Sequence, residues 1–424
     1  MVILLSTQTK SARHMRPIVA CALFFLGASS YLKPQSTPFW VGSWAASQQI
    51  PEPNNALPAN DLRDATLRQI VHLSLRGRTL RVHVSNAFGT APLHFTSVHI
   101  AHPVSNSSPA IDPATDRQLT FHGSPRVIVP PAAEFLSDSL DYPVEPGGDL
   151  AISIHFDNPP ERQTGHPGSR ATSYLVHGDL VAAADLPKAK KVDHWYQLSG
   201  IDVTASDAAS VVALGDSITD GHGATTNGND RWPDVLARRL QADPALRNIG
   251  VLNQGIGGNH LLTDGLGPNA LARFDRDVLA QPGVRYLFVL EGVNDLGGLA
   301  RTKEVSADEH AAFVQRVISA YEQINARAHS QRIRVIGCTI LPYVGSDYYH
   351  PGLTSEADRQ AVNAWIRTPG HFDAVVDFDQ VTRDPTRPDR LRPAFDCGDH
   401  LHPSPAGYAA MANAIPLSLF TQSH

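Results

Sequence analysis

The chain has 424 residues, 42% of them hydrophobic and 18% charged, with a formal net charge of −6. That length exceeds the usual single-domain range and the apolar content is enough for packed cores, so two domains are expected. The charge balance, with no basic run, argues against nucleic acid or an anionic membrane surface as partner, and past the N-terminal segment no stretch of about 18 apolar residues could span a bilayer.

The N-terminal segment reads as a targeting signal. Lys10, Arg13 and Arg16 precede an apolar run over 18–26, and Gly27, Ala28, Ser29 and Ser30 supply small residues for cleavage. Residues 1–30 are therefore read as a signal peptide, and the mature protein as secreted or periplasmic. Met15 offers an alternative start. Cys21 sits in a stretch similar to a lipoprotein cleavage box, but the apolar core follows the cysteine instead of preceding it. Removing the signal leaves Cys338 and Cys397, too few for a disulfide-scaffolded fold. Two separate buried thiols are expected, with a disulfide near the C-terminal loop as the alternative.

Over 39–204 the hydrophobic period is two. Val71, Leu73 and Leu75 alternate with His72, Ser74 and Arg76; after a turn at Gly77, Leu80, Val82 and Val84 alternate with Arg81 and His83. This reads as a hairpin. Further strands are expected over 93–100, 119–121, 127–129 and 150–156, which together argue an all-β sandwich domain. The Ala-rich stretch 181–191 reads as a loop or short helix.

From 208 to 424 strands alternate with helices. Apolar runs end at Leu214, Leu252 and Leu290, and two more strands are expected over 333–336 and 374–376. Between them Ser306 and Glu309 have capping-box spacing, and Phe313, Val317, Tyr321 and Ile324 fall on one helical face. A closing helix is expected over 403–415. Five strands in this alternation imply a parallel sheet covered on both faces.

Polar residues gather at the ends of these strands. Gly215-Asp216-Ser217-Ile218-Thr219-Asp220-Gly221 follows the first, Asn253-Gln254-Gly255-Ile256-Gly257-Gly258-Asn259 ends the second, and Gly292-Val293-Asn294-Asp295 follows the third. Near the C-terminus Asp399 and His402 stand three residues apart, a spacing that one helical turn would place on one side. Each block alone could be a turn or a cap. Together, in this order, they resemble the SGNH hydrolase superfamily, the GDSL esterases and lipases. The resemblance covers about half the chain and implies a flavodoxin-like three-layer hydrolase domain. Segments such as Trp44-Ala45-Ala46-Ser47 and Ser85-Asn86-Ala87-Phe88-Gly89 are similar to those of a secreted subgroup with xylan-esterase-like members.

The resemblance implies roles that the chemistry requires. Serine is a poor nucleophile until a base takes its proton, so His402 would serve Ser217 and Asp399 would orient His402. Backbone N–H groups of Ser217 and Gly258 and the side-chain amide of Asn294 would bind the oxyanion. Gly257 is the one-residue alternative to Gly258. Asp216 and Asp220 read as structural, and His222 as one of 20 histidines without a role. His400 and His402 could form a metal pair, but no further cluster at ligand spacing accompanies them, so neither metal nor cofactor is expected.

The resulting expectation is a secreted serine esterase acting on a small ester or acylated polysaccharide, removing acetyl groups from carbohydrate. A lipase, lysophospholipase or thioesterase would use the same triad. A glycan-binding protein whose hydrolase fold no longer catalyses is the non-enzymatic alternative.

Overall fold

The computed structural model describes residues 39–299, 301 and 304–421. The expected signal peptide lies outside the described residues, which belong to one compact unit. No helix among them is long and apolar enough to cross a membrane.

Residues 39–205 are mostly antiparallel strands in two main sheets. In one, Leu198–Ala205 lies between Phe39–Ala45 and Gly77–Ser85, and Gly77–Ser85 also pairs with Glu134–Leu136 and Leu140–Val144. In the other, Asp149–Phe156 lies between Ala65–His72 and Ser97–Ala101, with Ser173–His177, Lys190–Val192 and Arg117–Gln118 outside them. Leu80, Val82 and Val84 of the first sheet and Leu150, Ile152 and Ile154 of the second are fully buried in one shared apolar cluster.

The expected hairpin does not form. Ala65–His72 and Gly77–Ser85 belong to different sheets, and residues 73–76 carry the chain between them with Leu73 and Leu75 buried. Ser43 and Ser74 tie this corner: Ser74 Oγ donates to Ser43 O at 2.6 Å and Ser43 Oγ to Leu75 O at 2.8 Å. Alternation marks which face of a strand is buried and does not choose its neighbour. The stretch expected over 93–100 likewise divides into Leu93–Phe95 and Ser97–Ala101, in separate sheets. The strand expected over 119–121 sits earlier, at Arg117–Gln118, and 181–191 contains no helix.

The parallel sheet has five strands, in the order Ile249–Gly255, Ala209–Gly215, Val284–Leu290, Arg334–Cys338, Ala374–Val376. The second strand in sequence lies to one side of the first and the third to the other. A crevice opens at the carboxyl ends where the strand order reverses, and this is where open α/β sheets place their sites. The helix Ala307–Ser330 begins at the Ser306/Glu309 capping box and buries Val317, Tyr321 and Ile324. Strand Ile249–Gly255 forms one edge of this sheet, and the antiparallel region packs against it. Ser74 Oγ accepts the N–H of Val251 at 2.8 Å, and the backbone at Gly42 comes so close that a Cβ there would meet Leu252 at 2.7 Å.

Candidate active site

Ser217 opens the short helix Ser217–Asp220 just past the end of strand Ala209–Gly215. Asp216 caps that helix, its carboxylate accepting the N–H of Ile218 at 2.8 Å. As first residue of the helix, Ser217 has an N–H with no intrahelical acceptor.

The C-terminal loop brings His402 to this point. Ser217 Oγ lies 2.8 Å from His402 Nε2, and His402 Nδ1 lies 2.6 Å from Asp399 Oδ2. A carboxylate only accepts, so Nδ1 carries the proton and Nε2 is left to accept from the serine hydroxyl. Ser217 and His402 are each 8% exposed. Asp399 and His402 do not share a helical turn. The loop bends so that Asp399 Oδ1 accepts the N–H groups of Leu401 at 3.0 Å and His402 at 2.9 Å, a side chain standing in for a backbone turn. Burial would raise the Asp399 pKa, but the His402 hydrogen bond, its charge and those N–H groups hold the carboxyl well below the usual range.

A cleft of about 670 Å³ opens over Ser217 and is lined by Gly258, Leu266, Asn294, Tyr348, Tyr349 and His402 among others. Gly257 donates its N–H to Asp220 Oδ2 at 3.1 Å, while the N–H of Gly258 meets no hydrogen-bond partner among the described residues. Asn294 is 2% exposed at the start of helix Val293–Leu299. Serine, imidazole, carboxylate and N–H donors around one cleft are the parts of an acyl-transfer site.

Residues 213–410 match the GDSL-like Lipase/Acylhydrolase family. That region belongs to the family, and the protein is a serine ester hydrolase. Solved structures similar to the hydrolase include a GDSL-like lipase from Bacteroides thetaiotaomicron VPI-5482, at 18% identity over 50% of this chain and 88% of that one, with a TM-score of 0.37. The acetyl xylan esterase AlAXEase gives 19% over 48% and 96%, with a TM-score of 0.36. A catalytic mutant of an acetylxylan esterase from Geobacillus stearothermophilus gives 20% over 49% and 91%, at 0.35. No curated protein matches.

Sequence reasoning set aside a residue that the hydrolase places at its site. The His222 ring packs against that of His402, tilted by 36° with centroids 4.1 Å apart, and its Nε2 lies 3.7 Å from Asp399 Oδ2. Its closeness in sequence to the Ser217 block was the available signal. His400 instead turns away to Asp396, 2.6 Å from its carboxylate. His222, Asp399 and His402 bring one ligand atom each within 4.8 Å of one another. Tyr349 was also missed: its hydroxyl donates to Asn294 Oδ1.

Beneath the site lies Arg273, fully buried, with Glu291 at 3.4 Å and Asp277 at 3.0 Å. It also donates to the carbonyls of Gly215 and Gln254, at the ends of the first two parallel strands. Burial pushes Glu291 well above the ordinary carboxyl range and Asp216 up to about 7. The two thiols are free, Cys338 buried as expected and Cys397 exposed.

Proposed function

We propose that Ser217 attacks the ester carbonyl to form an acyl-enzyme, and that the substrate is an acylated, chiefly acetylated, carbohydrate. His402 takes the Ser217 hydroxyl proton through Nε2 and then delivers it to the departing alkoxide, with Asp399 stabilising the imidazolium. The N–H groups of Ser217 and Gly258 and the Asn294 amide receive the oxyanion. Water then enters by the same base and releases the acid. The observation that carries this reading is the unbroken hydrogen-bonded series Ser217–His402–Asp399 beside a cleft that Gly258 and Asn294 line. The commitment of the Gly257 N–H to Asp220 supports Gly258 as the donor.

Carbohydrate is supported by the cleft wall, where Tyr348, 55% exposed, adjoins Asp347 and Ser346. The C–H face of a sugar can pack on the ring while hydroxyls donate to the carboxylate. A second reading, a lipase or lysophospholipase, is favoured by Leu266, which lines the same cleft at 51% exposure. We also read residues 39–204 as an accessory β-sandwich and the protein as exported. Hydrolysis rates on acetylated xylan, acetylated pectin, p-nitrophenyl esters of increasing chain length and lysophospholipid decide the substrate. Acetyl esters turning over fastest is the expected result, whereas preference for long acyl chains or lysophospholipid replaces carbohydrate with lipid.

A further inference from the structure

One segment of the antiparallel region, residues 165–170, runs beside the nucleophile helix. Gly165–His166 pairs with Trp195–Tyr196 and Gly165 bridges to Gln49, so its backbone is anchored within the antiparallel region. His166 is 3% exposed. Its Nδ1 lies 2.8 Å from Ser47 O and its Nε2 2.9 Å from Asp220 Oδ1. Asp220 closes the nucleophile helix, and its other oxygen accepts the Gly257 N–H. A buried series of contacts thus runs from Ser47 through His166 and Asp220 to the turn that presents Gly258. At Gly168 the segment touches the same carboxylate: a Cβ there would fall 1.8 Å from Asp220 Oδ2, so a side chain could not pass.

At Arg170 the segment reaches the opposite flank. Arg170 Nη2 lies 3.3 Å from His222 Nδ1. A guanidinium only donates, so Nδ1 accepts and the neutral ring bears its proton on Nε2, the nitrogen facing Asp399. Burial, then the neighbouring His402 and Arg170, lower the His222 pKa to about 4, which keeps that ring neutral.

We propose that residues 165–170 are a positioning element of the esterase site, His166 setting the oxyanion turn through Asp220 and Arg170 setting the Asp399–His402 pair through His222. The proposal rests on the roles given above to Ser217, Gly258 and His402. Neither His166 nor Arg170 touches substrate; each holds a group that does, or that holds one. Through these two residues the accessory β-sandwich then positions the catalytic centre and is not merely a tethered module.

The test is steady-state kinetics of the full chain on p-nitrophenyl acetate, beside the rate of labelling by a fluorophosphonate. His166→Ala and Arg170→Met should each lower kcat, by up to about 100-fold, with KM within about twofold and labelling slowed in parallel. His166→Gln, whose amide can still donate to Asp220, should recover most of the loss. The Arg170→Met effect should vanish in a His222→Ala background, because the two act in series. Wild-type kcat in Arg170→Met, or in a folded His166→Ala, overturns the proposal, and if His166→Ala does not fold the Gln and Arg170 variants decide. Ser217→Ala separates the two levels: if it stays active the nucleophile reading fails, and if it is inert while Arg170→Met is unimpaired only the positioning element fails.

Discussion

The hydroxyl of Tyr349 donates to Oδ1 of Asn294 at 2.5 Å, while Nδ2 of the same amide donates to Asn259 O at 2.6 Å. These contacts fix which way the amide faces and leave its second N–H for the cleft. Asn294→Ala should lower kcat by about 10²-fold or more with little change in KM, since the donor matters chiefly as charge develops. Tyr349→Phe frees the amide and should cost less. Kinetics on an acetyl ester check both; an Asn294→Ala protein that loses stability but keeps its turnover would make Asn294 a turn residue.

Ser217→Ala and His402→Ala should each reduce kcat by about 10⁴-fold or more, and Asp399→Asn by less, because the last removes only orientation and charge. A serine-directed phosphonate should modify one site. Modification elsewhere sinks the assignment of Ser217. EDTA should leave activity unchanged, whereas loss restored by Zn²⁺ would turn His222, Asp399 and His402 into metal ligands.

His83 is clamped between Asp202 at 2.8 Å and Glu134 at 3.0 Å. Burial would lower its pKa, yet the two carboxylates raise it from 6.5 to about 9. A raised folded-state pKa means the stabilisation is complete below about 6.5 and is lost as pH climbs through about 9. Thermal melts should therefore fall in midpoint across that window. His83→Gln should flatten the slope, and an unchanged slope would place its origin elsewhere.

Arg273 is the cation for a crowded buried carboxyl group set. Arg273→Met leaves Asp277 with one of its two arginines and Glu291 with none, and should cost about 3–5 kcal/mol in urea unfolding. Glu291→Gln should cost far less, since burial already favours the uncharged form of the carboxyl it replaces. Equal losses for the two variants would show that Glu291 is charged.

The parallel half was legible because its first three strands carry short apolar runs followed by polar turn residues, as at Val211-Val212-Ala213-Leu214 before Gly215. Ser217 could be named because its block follows such an end, and Asp399 and His402 because their three-residue spacing fits the family the blocks resemble. The antiparallel half was legible only as strands. Leu73 and Leu75 keep the alternation going straight through a sheet-to-sheet corner, and nothing local distinguishes that from a hairpin. Residues whose value lies in distant partners escaped altogether. His166 lies 54 positions from Asp220 and Tyr349 lies 55 from Asn294, and no spacing rule spans such separations.

The cover over strand Ile249–Gly255 has a consequence for strand pairing between chains. An edge strand offers a row of unpaired amides that another chain can extend, and proteins blunt such edges with bulk or with competing partners. Here the partner is the Ser74 hydroxyl on Val251, with the Gly42 backbone pressed against Leu252. Both come from the antiparallel half. A chain in which that half folds late, or is cut away, bares a flat apolar edge that includes Val251 and Leu252, and intermolecular strand pairing there becomes the route to aggregation.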